Sequence, residues 1–178
     1  MGRRIGVRKA MMTTIHACTA TQAMVDAPHK HPRRGRAGAA NFVPTSTGAA
    51  VVTTRALPQN RGLFDGVAIR APVAVGSLAD LVFLTARRTS VGEVNDLFKE
   101  EAATDRYRGI LGVTEDPIVS SDAIRGPRAS IVDLGTTQVV DRDLVKIMSW
   151  YDNGWSYASQ MIREAVQQGK AIKGDEHG

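Results

Sequence analysis

The sequence predicts an α+β fold, a mostly antiparallel sheet with helices on one face. Three observations carry this expectation. Residues 129–134, 136–140 and 144–151 are β-rich and joined by short turns, which favours antiparallel pairing. Two segments of helical period stand apart from them, so strands and helices do not alternate regularly. No G-x-G-x-x-G or Walker loop is present, so the dinucleotide-binding fingerprint of a parallel α/β sheet is missing from this stretch of chain.

The elements follow in order. Residues 7–18, VRKAMMTTIHAC, read as an unbroken strand. Alternation places Met12, Thr14, His16 and Cys18 on one face. Residues 19–46 hold no period and carry Pro28, Pro32, Pro44, Gly35 and Gly38. A loop this long in a compact domain is often functional. A short helix is predicted over 48–57, capped by Ser46 or Thr47 and limited by Pro58. Residues 64–73 and 77–86 read as strands. Ser90 and Glu93 fit a capping box, and Val91, Val94, Leu97 and Phe98 recur at helical spacing. Residues 104–128 are mostly short strand and loop. A last helix is predicted over 154–168, capped by Asp152 or Asn153 and ended by Gly169. Trp155, Ala158, Met161, Ile162, Ala165 and Val166 form its apolar stripe. The expected organisation is a leader at 1–5, one module at 6–168 containing a long basic loop at 18–46, and a flexible tail at 169–178.

Composition narrows the function classes. At 178 residues the chain fits one domain. With 43% hydrophobic and 23% charged residues it is not a disordered sequence. One cysteine excludes an intrachain disulfide and a Cys-rich zinc module, and makes a reducing, cytoplasmic setting the default. No apolar run approaches the ~18–20 residues of a membrane span. The N-terminus lacks the apolar core of a secretory signal. The net charge is +5, but residues 1–36 hold eight Lys/Arg against one acid. Such a positive field suits an anionic partner. Nucleic acid, a phosphorylated metabolite and an acidic protein face all satisfy it.

Several side chains could carry chemistry. His16 ends a strand beside the basic loop, where an imidazole can act as general acid or base. Cys18 shares its face. However, i and i+2 side chains on a strand stand roughly 6–7 Å apart, too far for direct proton transfer. His16, Cys18, His29 and His31 are residue types that zinc accepts, but their spacing matches no familiar finger, and no metal site is predicted. Thr19, Thr21, Ser46, Thr47 and Gly48 supply hydroxyls and a helix start that could face phosphate. Arg70, set among small and apolar strand residues, calls for an anion or a carboxylate partner.

Four segments appear in order at fitting spacing: MMTTIHACTATQ, HKHPRRGRAGAANFVPTSTGAA, GILGVTEDPIVSSD and SWYDNGWSYASQMI. From about Gly6 to Val166 the chain resembles the C-terminal, catalytic domain of phosphorylating glyceraldehyde-3-phosphate dehydrogenase. The resemblance implies NAD- or NADP-dependent oxidation of glyceraldehyde 3-phosphate with inorganic phosphate to 1,3-bisphosphoglycerate, a step of glycolysis. By the same resemblance His16 is the histidine that activates the thiol and moves the proton. Thr19, Thr21 and Arg70 match the site for the substrate's phosphate. Thr47 and Gly48 match the site for the attacking phosphate, with Arg34 nearby. Asn153 and Tyr157 match the residues beside the nicotinamide. The loop resembles the family's S-shaped loop, which lines the cofactor groove and helps to build a tetramer.

The chain departs from the family pattern in places. The nucleophile's Ser-Cys-Thr-Thr-Asn segment does not occur in it, and Cys18 stands where the family has Tyr or Thr. Gly154 and Ser156 replace the usual Glu and Gly. The R-V-P-T-x-x-V-S motif reads Arg70-Ala-Pro-Val-Ala-Val-Gly-Ser. Met1-Gly2-Arg3-Arg4 is expected as an internal start. The expectation is therefore a catalytic half that is inactive alone. Its partners are a separate Rossmann half or copies of itself, with no membrane and no nucleic acid. The alternative is a non-enzymatic binding or assembly module with a basic surface.

Overall fold

Seven strands form one sheet in the order β2-β3-β1-β4-β7-β6-β5 in the computed structural model, which describes residues 1–175. The strands are β1 (Val7–His16), β2 (Val43–Ser46), β3 (Phe64–Arg70), β4 (Ser77–Thr85), β5 (Leu111–Thr114), β6 (Ser130–Val140) and β7 (Leu144–Tyr151). The helices are α1 (Ala49–Ala56), α2 (Val91–Ala103) and α3 (Trp155–Asp175). The fold is α+β as expected, but the sheet is mixed. β1 pairs with β3 in parallel, and so does β5 with β6. In each case the intervening chain is long enough to cross over and return in the same direction.

Local chemistry sets the ends of these elements. β3 stops at Arg70 because Pro72 has no N–H to continue the ladder. The two segments expected at 129–134 and 136–140 are one strand, β6, with a register shift between Asp133 and Gln138. Gly135 makes no turn there. The hairpin to β7 turns on Asp141 and Arg142, both at positive φ (45° and 61°), as tight hairpin turns require. Residues 43–46, expected as loop, form β2 along β3. At α1 the cap is Gly48, not Ser46 or Thr47, although Thr47 Oγ1 accepts from Ala49 N at 3.2 Å. At α2 half of the expected capping box forms. Ser90 Oγ accepts from Glu93 N at 3.2 Å, whereas the Glu93 carboxylate turns to Thr89 Oγ1 and Arg87.

One core holds the sheet to α2. Val94, Leu97 and Phe98 pack with Ile5, Val132, Leu134, Val145 and Ile147. Each such burial contributes about 1.5–3 kcal/mol. Alternation and register place Leu81, Phe83, Met12 and Thr14 on this same face. The opposite face carries Met11, Val67, Val82 and Met148. Met11 is 60% exposed and none of the four is buried.

Both chain ends differ from expectation. The leader at 1–5 is docked: Ile5 enters the core, Arg3 pairs with Glu101, and Arg4 pairs with Glu100 and Glu101. Gly169 does not end the last helix, which continues to Asp175. An isolated glycine lowers helix stability without forbidding the helix. Of the expected tail, residues 176–178 lie outside the described residues. The apolar stripe on α3 is exposed at Trp155, Met161, Ile162 and Val166.

Candidate active site

The site begins where β1 and β3 end together. The parallel register pairs His16 with Arg70, so two residues 54 apart in sequence project from neighbouring strand ends. Arg70 Nη1 lies 2.5 Å from His16 Nδ1. The same ring nitrogen lies 2.8 Å from Ala17 O. Burial, with the Arg70 charge added, outweighs the Ala17 hydrogen bond and holds the His16 pKa below the ordinary histidine value. The imidazole is therefore neutral near pH 7, the form a general base needs.

β7 and the start of α3 supply the other wall. His16, Tyr151, Asp152, Asn153, Ser156 and Tyr157 line a cleft of about 320 Å³. The Tyr151 ring stands edge-on to His16 at 6.0 Å between centroids, and its hydroxyl is 2.7 Å from Thr14 Oγ1. Asp152 turns the chain into α3. Its carboxylate accepts from the backbone N–H groups of Gly154, Trp155 and Arg125 at 2.7–2.8 Å. Burial pushes its pKa up, but those three donors hold it below the usual aspartate value. Asn153 Oδ1 accepts from Gly76 N at 3.2 Å, which fixes its amide at the cleft. Gly76 is required there. Its φ is +90°, and a Cβ would stand 2.3 Å from Ser120 O.

The basic loop folds back on itself. Ala23 N donates to Arg34 O, Ala27 N to Gly35 O and Gly38 N to Ala23 O. Arg36 pairs with Asp26, and Arg8 with Asp143. Together with Arg3 and Arg4, half of the eight basic residues of this segment are thus matched by carboxylates. Arg34 Nε donates to Thr45 Oγ1 at 2.9 Å, and its charge reaches Arg70. Burial first, and the Arg34 charge second, lower the Arg70 pKa. Arg70 Nε is buried without a hydrogen-bond partner.

The structure thus joins His16, Asn153 and Tyr157 around one cleft, with Arg70 held against His16 and the Arg34 charge felt at Arg70. Thr19 and Thr21 follow on from Ala17 with their hydroxyls 2.9 Å apart. Thr47 and Gly48 stand apart from Arg70. They follow the end of β2 at Ser46, which pairs with Val67, whereas Arg70 pairs with Val43 at the other end of that strand. Cys18 does not face His16 as a reactive pair. Its Sγ lies 3.1 Å from Gly38 O and from Ala71 O, where it serves packing. His29 and His31 contact each other, and among the described residues no His/Cys/Asp/Glu group could hold a metal. Sequence reasoning did not single out Tyr151. Alternation along 144–151 places it on the face of Ser149, but only the pairing of Ser77 with Tyr151 brings it to His16. A second hollow, at Arg88, Ser90 and Arg142 beside α2, is far from this chemistry and its Glu93 is already paired.

Comparison with known proteins shows the family. The glyceraldehyde 3-phosphate dehydrogenase C-terminal domain family matches residues 1–153, and the chain belongs to that family. It is 47% identical over 167 residues to a glyceraldehyde-3-phosphate dehydrogenase of Mycobacterium tuberculosis, covering 94% of this chain and 49% of the relative. It is 44% identical over 172 residues to glyceraldehyde-3-phosphate dehydrogenase 2 of Streptomyces avermitilis, covering 97% and 51%. Identity to glyceraldehyde-3-phosphate dehydrogenase 3 of Nostoc is 42% over 169 residues, covering 95% and 50%. The chain therefore spans about half the length of the curated relatives it matches.

Proposed function

We propose that this chain is the catalytic half of a phosphorylating glyceraldehyde-3-phosphate dehydrogenase. The observation that carries the reading is that His16, held by Arg70, lines the same cleft as Asn153 and Tyr157. The reaction joins an aldehyde, NAD⁺ or NADP⁺ and phosphate to give an acyl phosphate, reduced cofactor and a proton. In this reading a cysteine thiol supplied by the other half attacks the aldehyde. Neutral His16 takes the thiol proton, returns it to the oxygen of the adduct, and takes it back as the adduct is oxidised. Arg70, with Thr19 and Thr21, binds the substrate's phosphate. Thr47 and Gly48, assisted by Arg34, bind the attacking phosphate.

The cleft suits a nicotinamide. Asn153 is fixed with its amide at the cleft wall, and the exposed Tyr157 ring stands beside it. The bound cofactor would accept hydride there; the chain's own part is to orient the carboxamide and to hold protons at His16.

Two partner surfaces fit this reading. The exposed apolar stripe of α3 suits a cofactor-binding half. The open sheet face with Met11 and Val67, beside exposed Met24, Val25 and Phe42 on the loop, suits a second copy of the chain, as in a homo-oligomer. Among the described residues no helix is long and apolar enough to cross a membrane. A cytoplasmic setting follows from the chemistry of a reduced catalytic thiol.

The test is complementation. The 178-residue chain with glyceraldehyde 3-phosphate, NAD⁺ and phosphate should form no NADH. Adding a separate polypeptide with a Rossmann domain and a Ser-Cys-Thr-Thr-Asn segment should restore NADH formation. NADH formation by the chain alone rules the reading out.

A further inference from the structure

His16 Nδ1 faces two groups that make incompatible demands. Ala17 O, at 2.8 Å, can only accept, so it asks Nδ1 to carry a proton. Arg70 Nη1, at 2.5 Å, can only donate, so it asks Nδ1 to offer a lone pair. Arg70 Nη1 also stands 3.4 Å from Ala17 O. One arrangement satisfies both Arg70 contacts and leaves no proton between Nδ1 and Ala17 O. The ring is neutral with its proton on Nε2, and Arg70 serves both Nδ1 and the carbonyl. Protonation of the ring places a proton on Nδ1, aims it at Ala17 O and expels the guanidinium. Arg70 has somewhere to go. Its buried Nε lacks a partner, the Arg34 charge repels it, and the chain runs on from Ala17 to the paired hydroxyls of Thr19 and Thr21.

We propose that Arg70 is a relay between anion occupancy and His16: it donates either to His16 Nδ1 or to an oxyanion held with Thr19 and Thr21, and His16 takes up a proton when Arg70 leaves. The proposal rests on the phosphate-site reading above and adds a direction to it. Arrival of a phosphate-bearing substrate raises the proton affinity of the base that must accept the thiol proton. Departure of the product lowers it and helps to return the proton to solvent. Arg70 is thus a positioning residue for His16 as well as an anion ligand.

The other groups facing His16 do not supply this coupling. Tyr151 is bonded to Thr14. Asp152 is held by three backbone N–H groups. Tyr157 lines the far side of the cleft and Cys18 packs against Gly38 and Ala71.

The experiment is a pH titration of the His16 ring nitrogens by NMR on the 178-residue chain. It is run with sulfate, which does not titrate in this range, and with chloride at matched ionic strength. In chloride, Nδ1 should show the unprotonated signature and His16 should titrate below an ordinary histidine. Sulfate should shift the Thr19 and Thr21 amides and raise the His16 midpoint. By linkage, each pH unit of that rise corresponds to about tenfold tighter sulfate binding at low pH than at high pH. Arg70→Gln should raise the midpoint in chloride and abolish its response to sulfate. Arg70→Lys, which keeps the charge but loses the fork, should also weaken the response. If sulfate shifts Thr19 and Thr21 but leaves the His16 midpoint fixed, the relay is overturned and the phosphate site stands. If sulfate shifts neither, the phosphate site falls and takes the relay with it. A response that survives in both Arg70 variants also overturns the relay.

Discussion

Asp152 shows how a single buried carboxylate can organise the site. It caps α3 through Gly154 and Trp155 and ties down the strained Arg125 turn (φ 61°). Asp152→Ala leaves these donors without their acceptor and should cost about 2–3 kcal/mol, measured by urea denaturation. Because its folded pKa is depressed, its contribution is present above the ordinary aspartate value and is lost as pH falls through the folded value. His16 acts in the same direction at higher pH. Its folded pKa is also lowered, so the stability it adds is full above about 6.5, the ordinary value, and declines as pH falls through the folded value. A stability curve between pH 7 and 5 should therefore slope downward, and His16→Asn should flatten it. Sequence spacing marks Asp152 as a cap and His16 as a candidate base. The Arg70 contact to His16 and the place of Tyr151 depend on register across strands, which no local pattern contains.

Among the elements, α2 was the most legible. Its cap residue and its apolar spacing at Val94, Leu97 and Phe98 agree with the structure because one side meets the core and the other meets water. Leu97→Ala should cost about 2–4 kcal/mol in chemical denaturation, since it empties a well-packed position. The last helix was less legible. Its stripe is clear, but among the described residues Trp155, Met161, Ile162 and Val166 stay exposed, so the pattern that usually signals burial does not do so here. β6 was read as two strands because Gly135 resembles a break. β6 pairs with β7 up to Asp133 and again from Gln138, and the irregularity between them takes in Gly135 without ending the strand. Gly76 is an element-scale constraint that spacing could not show. Gly76→Ala should destabilise the fold by about 1–3 kcal/mol through its positive φ, and more through its clash with Ser120 O. Thermal unfolding, with the Asn153 amide signals followed by NMR, measures both effects.

For the whole molecule, length indicates one domain, the pattern of strand and helix segments indicates α+β, and the family motifs indicate which half of an enzyme it matches. They did not show that the first residues would be docked and paired with Glu100 and Glu101, nor that the basic segment would be half neutralised by carboxylates. Arg3, Arg4 and Arg8 find their partners about a hundred residues or more away in the sequence, and only Arg36 pairs within the loop, with Asp26. These pairings reduce the free positive surface that an assembly or nucleic-acid role would use. The central claim is that His16 is the base of a dehydrogenase completed by another polypeptide segment. The most direct measurement is the rate of NADH formation by the reconstituted halves with His16 intact and with His16→Asn. Removal of the general base should lower the rate about 10²- to 10⁴-fold while both proteins remain folded and associated. An undiminished rate in the folded His16→Asn assembly would contradict the account.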